Sequence, residues 1–175
     1  MAPGPAIRRA GPADFGRIEA LERACFGVAD GAFSHRQLRY LLANPRAYWM
    51  LGADGQAMAC WLVAANGRTR WVRLYSLAVH PALQGQGWGA RLLAAGTSWM
   101  RARGFAVCRA EVRASNQPAR RLYERFGFHE TGRLPDYYGP GIDGLRLTLV
   151  LRAAGSTAPR HRPEASRPRR RRPGP

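Results

Sequence analysis

Lysine is missing from this chain of 175 residues: all 28 of its basic side chains are arginine. A nucleotide-triphosphate P-loop, which needs Gly-Lys-Ser/Thr behind its glycines, is therefore excluded. Cysteine is scarce and odd in number, and Cys25, Cys60 and Cys108 lie far apart, which suggests neither a disulfide framework nor a CxxC metal site. His35, His80, His129 and His161 are as scattered, and no metal is expected. Long apolar runs are missing too. No window approaches the roughly 18 uninterrupted apolar residues of a membrane helix, and the opening MAPGPAIRRAG has no apolar stretch of the secretory kind. These absences predict a cytoplasmic protein with no membrane contact.

Acidic residues number only 11, which leaves a net charge of +17. The excess is unevenly placed, since residues 152 to 175 hold eight arginines against Glu164, or +7 of the total. That stretch is otherwise mostly Pro, Ala, Ser and Gly with no apolar period, the composition of a disordered tail. We therefore divide the chain into one folded domain over 1–152 and a tail over 153–175. The run Arg167 to Arg172 and the positive charge of the rest of the chain suit contact with rRNA or another nucleic acid, an attraction that falls steeply with salt. The other reading is a solvated terminus without a partner, because arginine-only usage beside abundant Ala, Gly and Pro has the look of codon bias. A 46% apolar content over this length gives one domain a full core.

Along that domain, Ala6 to Arg9 predicts a short strand and Pro12 with Asp14 opens a helix. Phe15, Ile18, Leu21 and Cys25 form its expected buried stripe. Ser34 caps a second helix through Leu38, Leu41 and Leu42. Strands are predicted over Ala47 to Leu51 and Ala57 to Ala65, with hairpin signals at Asp54-Gly55 and Asn66-Gly67. Together with the strand that follows they predict an antiparallel meander. Further on come a helix with Leu92, Leu93, Gly96, Trp99 and Met100 on one face, a strand over Phe105 to Val112, and a helix from Pro118 that Gly127 stops. Phe128 to Thr131 and Leu145 to Leu151 supply the last two strands.

The pivotal stretch is LYSLAVHPALQGQGWGARLL, Leu74 to Leu93. Leu74, Tyr75, Leu77, Ala78 and Val79 read as a strand covered on both faces, which Pro81 ends. Gln84-Gly85-Gln86-Gly87-Trp88-Gly89 then sets three glycines at alternate positions. Such a turn brings the backbone close to a ligand, and the helix behind it adds its positive end. A pyrophosphate is the natural occupant, although a bare strand-to-helix turn gives the same pattern. The spacing is not the G-x-G-x-x-G of a dinucleotide fold.

Gln84, Gly87 and Gly89 resemble the Gln/Arg-x-x-Gly-x-Gly/Ala signature of the GNAT N-acetyltransferase superfamily, which binds acetyl-coenzyme A. A second run, AEVRASNQPARRLYERFGF from Ala110 to Phe128, resembles that superfamily's other signature, and in particular the bacterial ribosomal-protein-alanine N-acetyltransferases. The resemblance implies an α/β (α+β) fold: a mixed, mostly antiparallel twisted sheet of about seven strands with splayed central strands, flanked by four helices. It implies acetyl-coenzyme A as donor, direct transfer in a ternary complex, no metal, and a protein N-terminus as acceptor, an alanine of a ribosomal protein. A monomer or weak dimer is expected. A chain without lysine cannot acetylate itself on a lysine side chain.

An α-amine, with a reference pKa near 7.7 to 8.0, needs a base before it attacks a thioester. Glu111 stands alone as a carboxylate in an apolar strand, and the resemblance gives it that role; an ion pair with Arg109, Arg113 or another arginine is the plainer reading. Tyr123 matches the family's acid that protonates the leaving thiolate, though a tyrosine on an apolar helix stripe also simply packs. Backbone N–H groups of Leu77, Ala78 and Val79 are the implied oxyanion and cofactor donors. Gln84, Gly85, Gln86, Gly87, Trp88 and Gly89 are the implied cofactor turn, and Asn116 the implied pantetheine contact, although it also suits a helix cap. Arg120 or Arg121 stands within reach of the nucleotide phosphates or in solvent. Phe26, with Phe33, and the pair Tyr137 and Tyr138 are the implied acceptor contacts, against plain packing. Cys108 reads as core. Ser76 and the run Gly141-Ile142-Asp143-Gly144 depart from the ribosomal-protein subgroup, and acceptor choice is where those departures bear. A lysine or small-molecule amine acetyltransferase of the same fold is the alternative, and an rRNA- or ribosome-binding protein the alternative from another class.

Overall fold

The structure, a computed structural model, describes residues 6–27, 33–63 and 71–151. The tail over 153–175 and the Asn66-Gly67 hairpin signal lie outside the described residues.

Seven strands form one sheet in the order β1-β2-β3-β4-β5-β7-β6. They are β1 Arg8–Arg9, β2 Ala47–Gly52, β3 Ala57–Val63, β4 Trp71–Val79, β5 Val107–Arg113, β6 His129–Leu134 and β7 Gly144–Val150. Every neighbouring pair is antiparallel except β4 with β5. The expected meander is β2-β3-β4. Four α-helices flank it: α1 Phe15–Cys25, α2 His35–Ala43, α3 Trp88–Ala102 and α4 Gln117–Arg125. Ser34 caps α2 as its sequence predicts, accepting from the Gln37 N–H while the Gln37 side chain returns to the Ser34 N–H.

The two faces carry separate cores. On one, Trp61, Leu74, Ala110 and Val112 meet Leu92, Leu93 and Met100 of α3 and Tyr123 of α4. On the other, Met58, Cys60 and Ala78 meet Ile18 and Leu21 of α1 and Leu38 and Leu41 of α2. Trp61 is fully buried against α3 at Gly96, where an added Cβ would stand 2.1 Å from its ring. Glycine is thus what lets this helix lie on the sheet. The stripe of α1 differs from its expectation: Ile18, Leu21 and Glu22 are buried, whereas Phe15 and Cys25 are only partly covered.

The feature that makes the site is a fault in the sheet. Cys60 pairs with Ser76 but Trp61 pairs with Leu74, so Tyr75 is an extra residue on β4. A bulge of this kind bends its strand. The parallel pairing of β4 with β5 runs from Trp71 and Val107 to Leu74 and Ala110 and goes no further. Beyond it the two strands diverge.

Candidate active site

The gap between the diverging strands opens into a cavity of about 430 Å³. From β4 come Arg73 to Leu77, from β5 Glu111 to Arg113, and from α4 Ala119 and Tyr123, with Asn116 just ahead of that helix. The α1 side contributes Glu22, Cys25, Phe26 and Phe33, and the loop before β7 contributes Tyr137 and Tyr138. Residues singled out in the sequence therefore meet around one space, among them Glu111, Tyr123, Leu77, Asn116, Phe26, Phe33, Tyr137 and Tyr138. A larger groove of about 590 Å³ adjoins it through Arg73 and Tyr75. No described residue lining that groove carries a carboxyl, so it offers no proton acceptor of that kind.

Backbone direction at the gap follows from the ladder. The His80 N–H donates to the Gln56 carbonyl on the β3 side at 2.8 Å, so Val79 and Leu77, one and three residues before it, turn their polar groups the other way, into the gap. The Val79 carbonyl there accepts from Cys25 Sγ at 3.3 Å and from Gln84 Nε2 at 3.2 Å. Ala78 points its backbone at β3 and its methyl into the α1 core. Of the three expected donors, then, only Leu77 and Val79 address the gap.

The glycine turn stands at the end of β4, outside this cavity. Gly85 and Gly87 have φ of 76° and 82°, and nothing lies within 4 Å of the place a Cβ would take on either. The turn is left-handed and open on that side, and the first N–H groups of α3 have no partner within the helix. An anionic group such as a pyrophosphate fits this cradle. The Trp88 side chain is buried, close against Gly52, with the Arg91 guanidinium 4.0 Å over its ring, so it is through its backbone that this residue would meet a ligand. Gln86 binds back to the Ala82 carbonyl. The Asn116 side chain accepts from the Ala119 N–H at 3.1 Å and so caps α4.

Glu111 is not a lone carboxylate. Arg73 Nε donates to its Oε2 at 2.8 Å and Arg146 Nε to its Oε1 at 3.4 Å. Arg109 lies over the Trp71 ring and Arg113 over that of Tyr138. Arg73 also donates to Tyr137 Oη at 2.8 Å, so one guanidinium joins the carboxylate to the tyrosine loop. Asp143 fixes that loop, accepting from Arg133 Nε at 2.8 Å and from the Asp136 N–H at 3.1 Å. Those contacts hold the Asp143 carboxyl below its usual range. The departure at Gly141 to Gly144 thus supplies a brace.

Tyr123 stacks at a tilt on Phe128, 5.4 Å between ring centres, and burial pushes its phenol up. It stays protonated across ordinary pH. Burial raises the Tyr138 phenol to about 12. Cys108 is fully buried and lies outside the cavity lining, its thiol pushed to about 12 by burial; such a thiol is no nucleophile.

Sequence reasoning missed Arg73 and Glu22. Arg73 had one available signal, a charge inside an apolar strand. Glu22 had less, sitting beside Leu21 at the edge of the α1 stripe. It is 2% exposed, and burial raises its carboxyl to about 7 against one N–H from Phe33.

Comparison with known proteins bears on both fold and chemistry. The family described as Acetyltransferase (GNAT) family matches residues 16–128. A ribosomal protein bS18-alanine N-acetyltransferase of Haemophilus ducreyi is 41% identical over 80 residues, 46% of this chain and 54% of that protein. A mycothiol acetyltransferase of Streptosporangium roseum is 49% identical over 55 residues, 31% of this chain and 16% of that protein. The chain therefore spans about half the length, or less, of these curated relatives. Among solved structures, the ribosomal-protein-alanine N-acetyltransferase of Escherichia coli superposes with a TM-score of 0.76 at 25% identity, covering 88% of this chain and 98% of that one. The expected fold, a mostly antiparallel seven-stranded sheet with four helices and splayed centre, is the one observed.

Proposed function

The chain belongs to the acetyltransferase (GNAT) family, and from that premise we propose that it moves an acetyl group from acetyl-coenzyme A to the N-terminal α-amine of a protein. Relatives named for acetylating the alanine of a ribosomal protein point to such an alanine as the acceptor, and the cytoplasm is where the reading places the reaction. One observation carries the reading: a carboxylate from β5 and a protonated phenol from α4 line the same break in the sheet, beside a turn open to an anion. The acyl donor is supplied from the turn side. Gly85, Gly87 and Gly89 with the start of α3 hold its pyrophosphate, Leu77 and Val79 offer N–H groups to its arm and to the oxyanion, and Tyr123 gives a proton to the departing sulfur. Glu111 accepts a proton from the amine, directly or through a water, and Tyr137, Tyr138 and Phe26 shape the acceptor's entrance.

A second reading is favoured by the match to a mycothiol acetyltransferase: the acceptor is a small amine rather than a polypeptide. Two peptides separate them. One has a free N-terminal alanine and no lysine; the other has a blocked N-terminus and an internal lysine. Incubated with acetyl-coenzyme A and enzyme, the first alone is expected to gain an acetyl group by intact mass. Acetylation of the second alone moves the acceptor to lysine, and acetylation of neither leaves the small-amine reading. The contact of the tail with rRNA concerns residues outside the described ones.

A further inference from the structure

The α1 wall holds a carboxyl that the roles above leave unused. Glu22 Oε1 accepts from the Phe33 N–H at 3.2 Å. Its Oε2 is buried without a hydrogen-bond partner among the described residues, although the side chain lines the cavity. A buried acceptor left open in this way is costly, and a ligand that brings a donor removes the cost. Resting on the reading above, we propose that Glu22 is the seat of the acceptor's ammonium group and takes its first proton.

The two carboxyls of the cavity are built differently. Both oxygens of Glu111 already hold guanidinium groups, whereas Glu22 has an oxygen free and no cation bonded to it among the described residues. Two titratable groups in contrasting surroundings divide acid and base work between them. The reaction also sheds two protons from nitrogen, so two acceptors have work to do. Glu22 takes one from the ammonium, leaving a lone pair that forms the C–N bond at the thioester carbonyl carbon. The C–S bond then breaks, its electron pair leaves on sulfur, and Tyr123 protonates that sulfur. The second nitrogen proton passes by way of Glu111 back to Tyr123, and Glu22 releases the first to solvent. The balance is one proton per acetyl transferred.

Burial places Glu22 near 7, which suits a base at neutral pH. The titratable groups around it do not disturb this. Cys25 on the same helix and Cys60 on β3 are both thiols that burial pushes up, so neither is charged there. Arg73, Glu111, Tyr137 and Tyr138 face it from the other walls of the cavity.

The test compares wild type, Glu22→Gln and Glu19→Gln with whichever of the two peptides the wild type acetylates. Gln keeps the shape and an oxygen for Phe33. Glu22→Gln is expected to lower kcat/KM by about 100-fold or more and to move the acid limb of kcat/KM up from about 7 to the α-amine's own range near 7.7 to 8.0, with acetyl-coenzyme A affinity unchanged. Glu19 lies on the same helix but is paired with Arg23 and His35, and Glu19→Gln is expected to leave kcat/KM as it is. A fold check comes from linkage. The folded state holds a proton on Glu22 that the unfolded chain has lost between its ordinary carboxylate range and about 7, so stability falls as pH rises through that window. Glu22→Gln removes that fall and should be the more stable protein above pH 7. Wild-type kcat/KM in Glu22→Gln, or a loss of rate that leaves the acid limb at about 7, overturns the proposal. A wild type that acetylates neither peptide fails the α-amine reading instead.

Discussion

Replacing Tyr123 by phenylalanine lowers turnover by about 100- to 10,000-fold, the range of a single general acid, and leaves the acetyl-coenzyme A dissociation constant where it was. The variant loses one hydroxyl. The ring keeps its place, because it is held by packing on Phe128 and within the core of α4 and the sheet. What is lost is the proton for the departing sulfur. Burial keeps the wild-type phenol protonated throughout the working range, so no alkaline limb in kcat from Tyr123 is expected below the point where the protein itself fails. Steady-state kinetics with equilibrium binding in parallel decides the matter. Unaltered turnover would move the role to another donor, and Tyr138, whose phenol stands at about 12 in the same cavity, would be next.

The second large effect is on stability. Gly96→Ala ought to help a helix by about 1 kcal/mol, yet here it is expected to destabilise by about 3 kcal/mol, the upper part of the range for overpacked cores. Its Cβ would stand 2.1 Å from Cζ2 of Trp61. That indole is fully buried and cannot step aside. It also sits next to the bulge, where Trp61 pairs with Leu74, so any movement disturbs the strand that opens the site. Trp61→Phe leaves room, and its loss of the unpartnered buried indole N–H removes a penalty. The double variant should therefore be more stable than the two single effects add up to. Urea unfolding at constant slope measures all three; additive effects would mean that the two residues do not meet.

How much of this is legible in the sequence differs from element to element. The turn from Gln84 to Gly89 is legible because glycine at alternate positions has a local, conformational meaning, and φ at Gly85 and Gly87 is indeed left-handed. Ser34 is legible as a cap for the same reason. The four helices and the β2-β3-β4 meander follow from periodicity and turn residues. Glu22 is not legible, since a carboxylate next to Leu21 reads as the solvent edge of a stripe until one knows that α1 lies over a cavity. The ion pairs of Glu111 are hidden too. Arg73 lies 38 positions away and Arg146 lies 35 away, and only the register of β4, β5 and β7 brings them together. The burial of the Trp88 side chain is hidden too, because the space that receives it is made by Gly52 at the end of β2. The bulge at Tyr75 depends on how β3 and β4 pair, which no single strand announces.

In the proposed reaction thioester and amine meet directly across the break between β4 and β5, with no acetyl group carried by the protein. Initial rates with acetyl-coenzyme A and the alanine peptide varied together test it most directly. Intersecting reciprocal plots are predicted, as for a ternary complex in which Cys108 stays buried and protonated. Parallel lines, with acetyl trapped on a cysteine of the enzyme before acceptor is added, would contradict it.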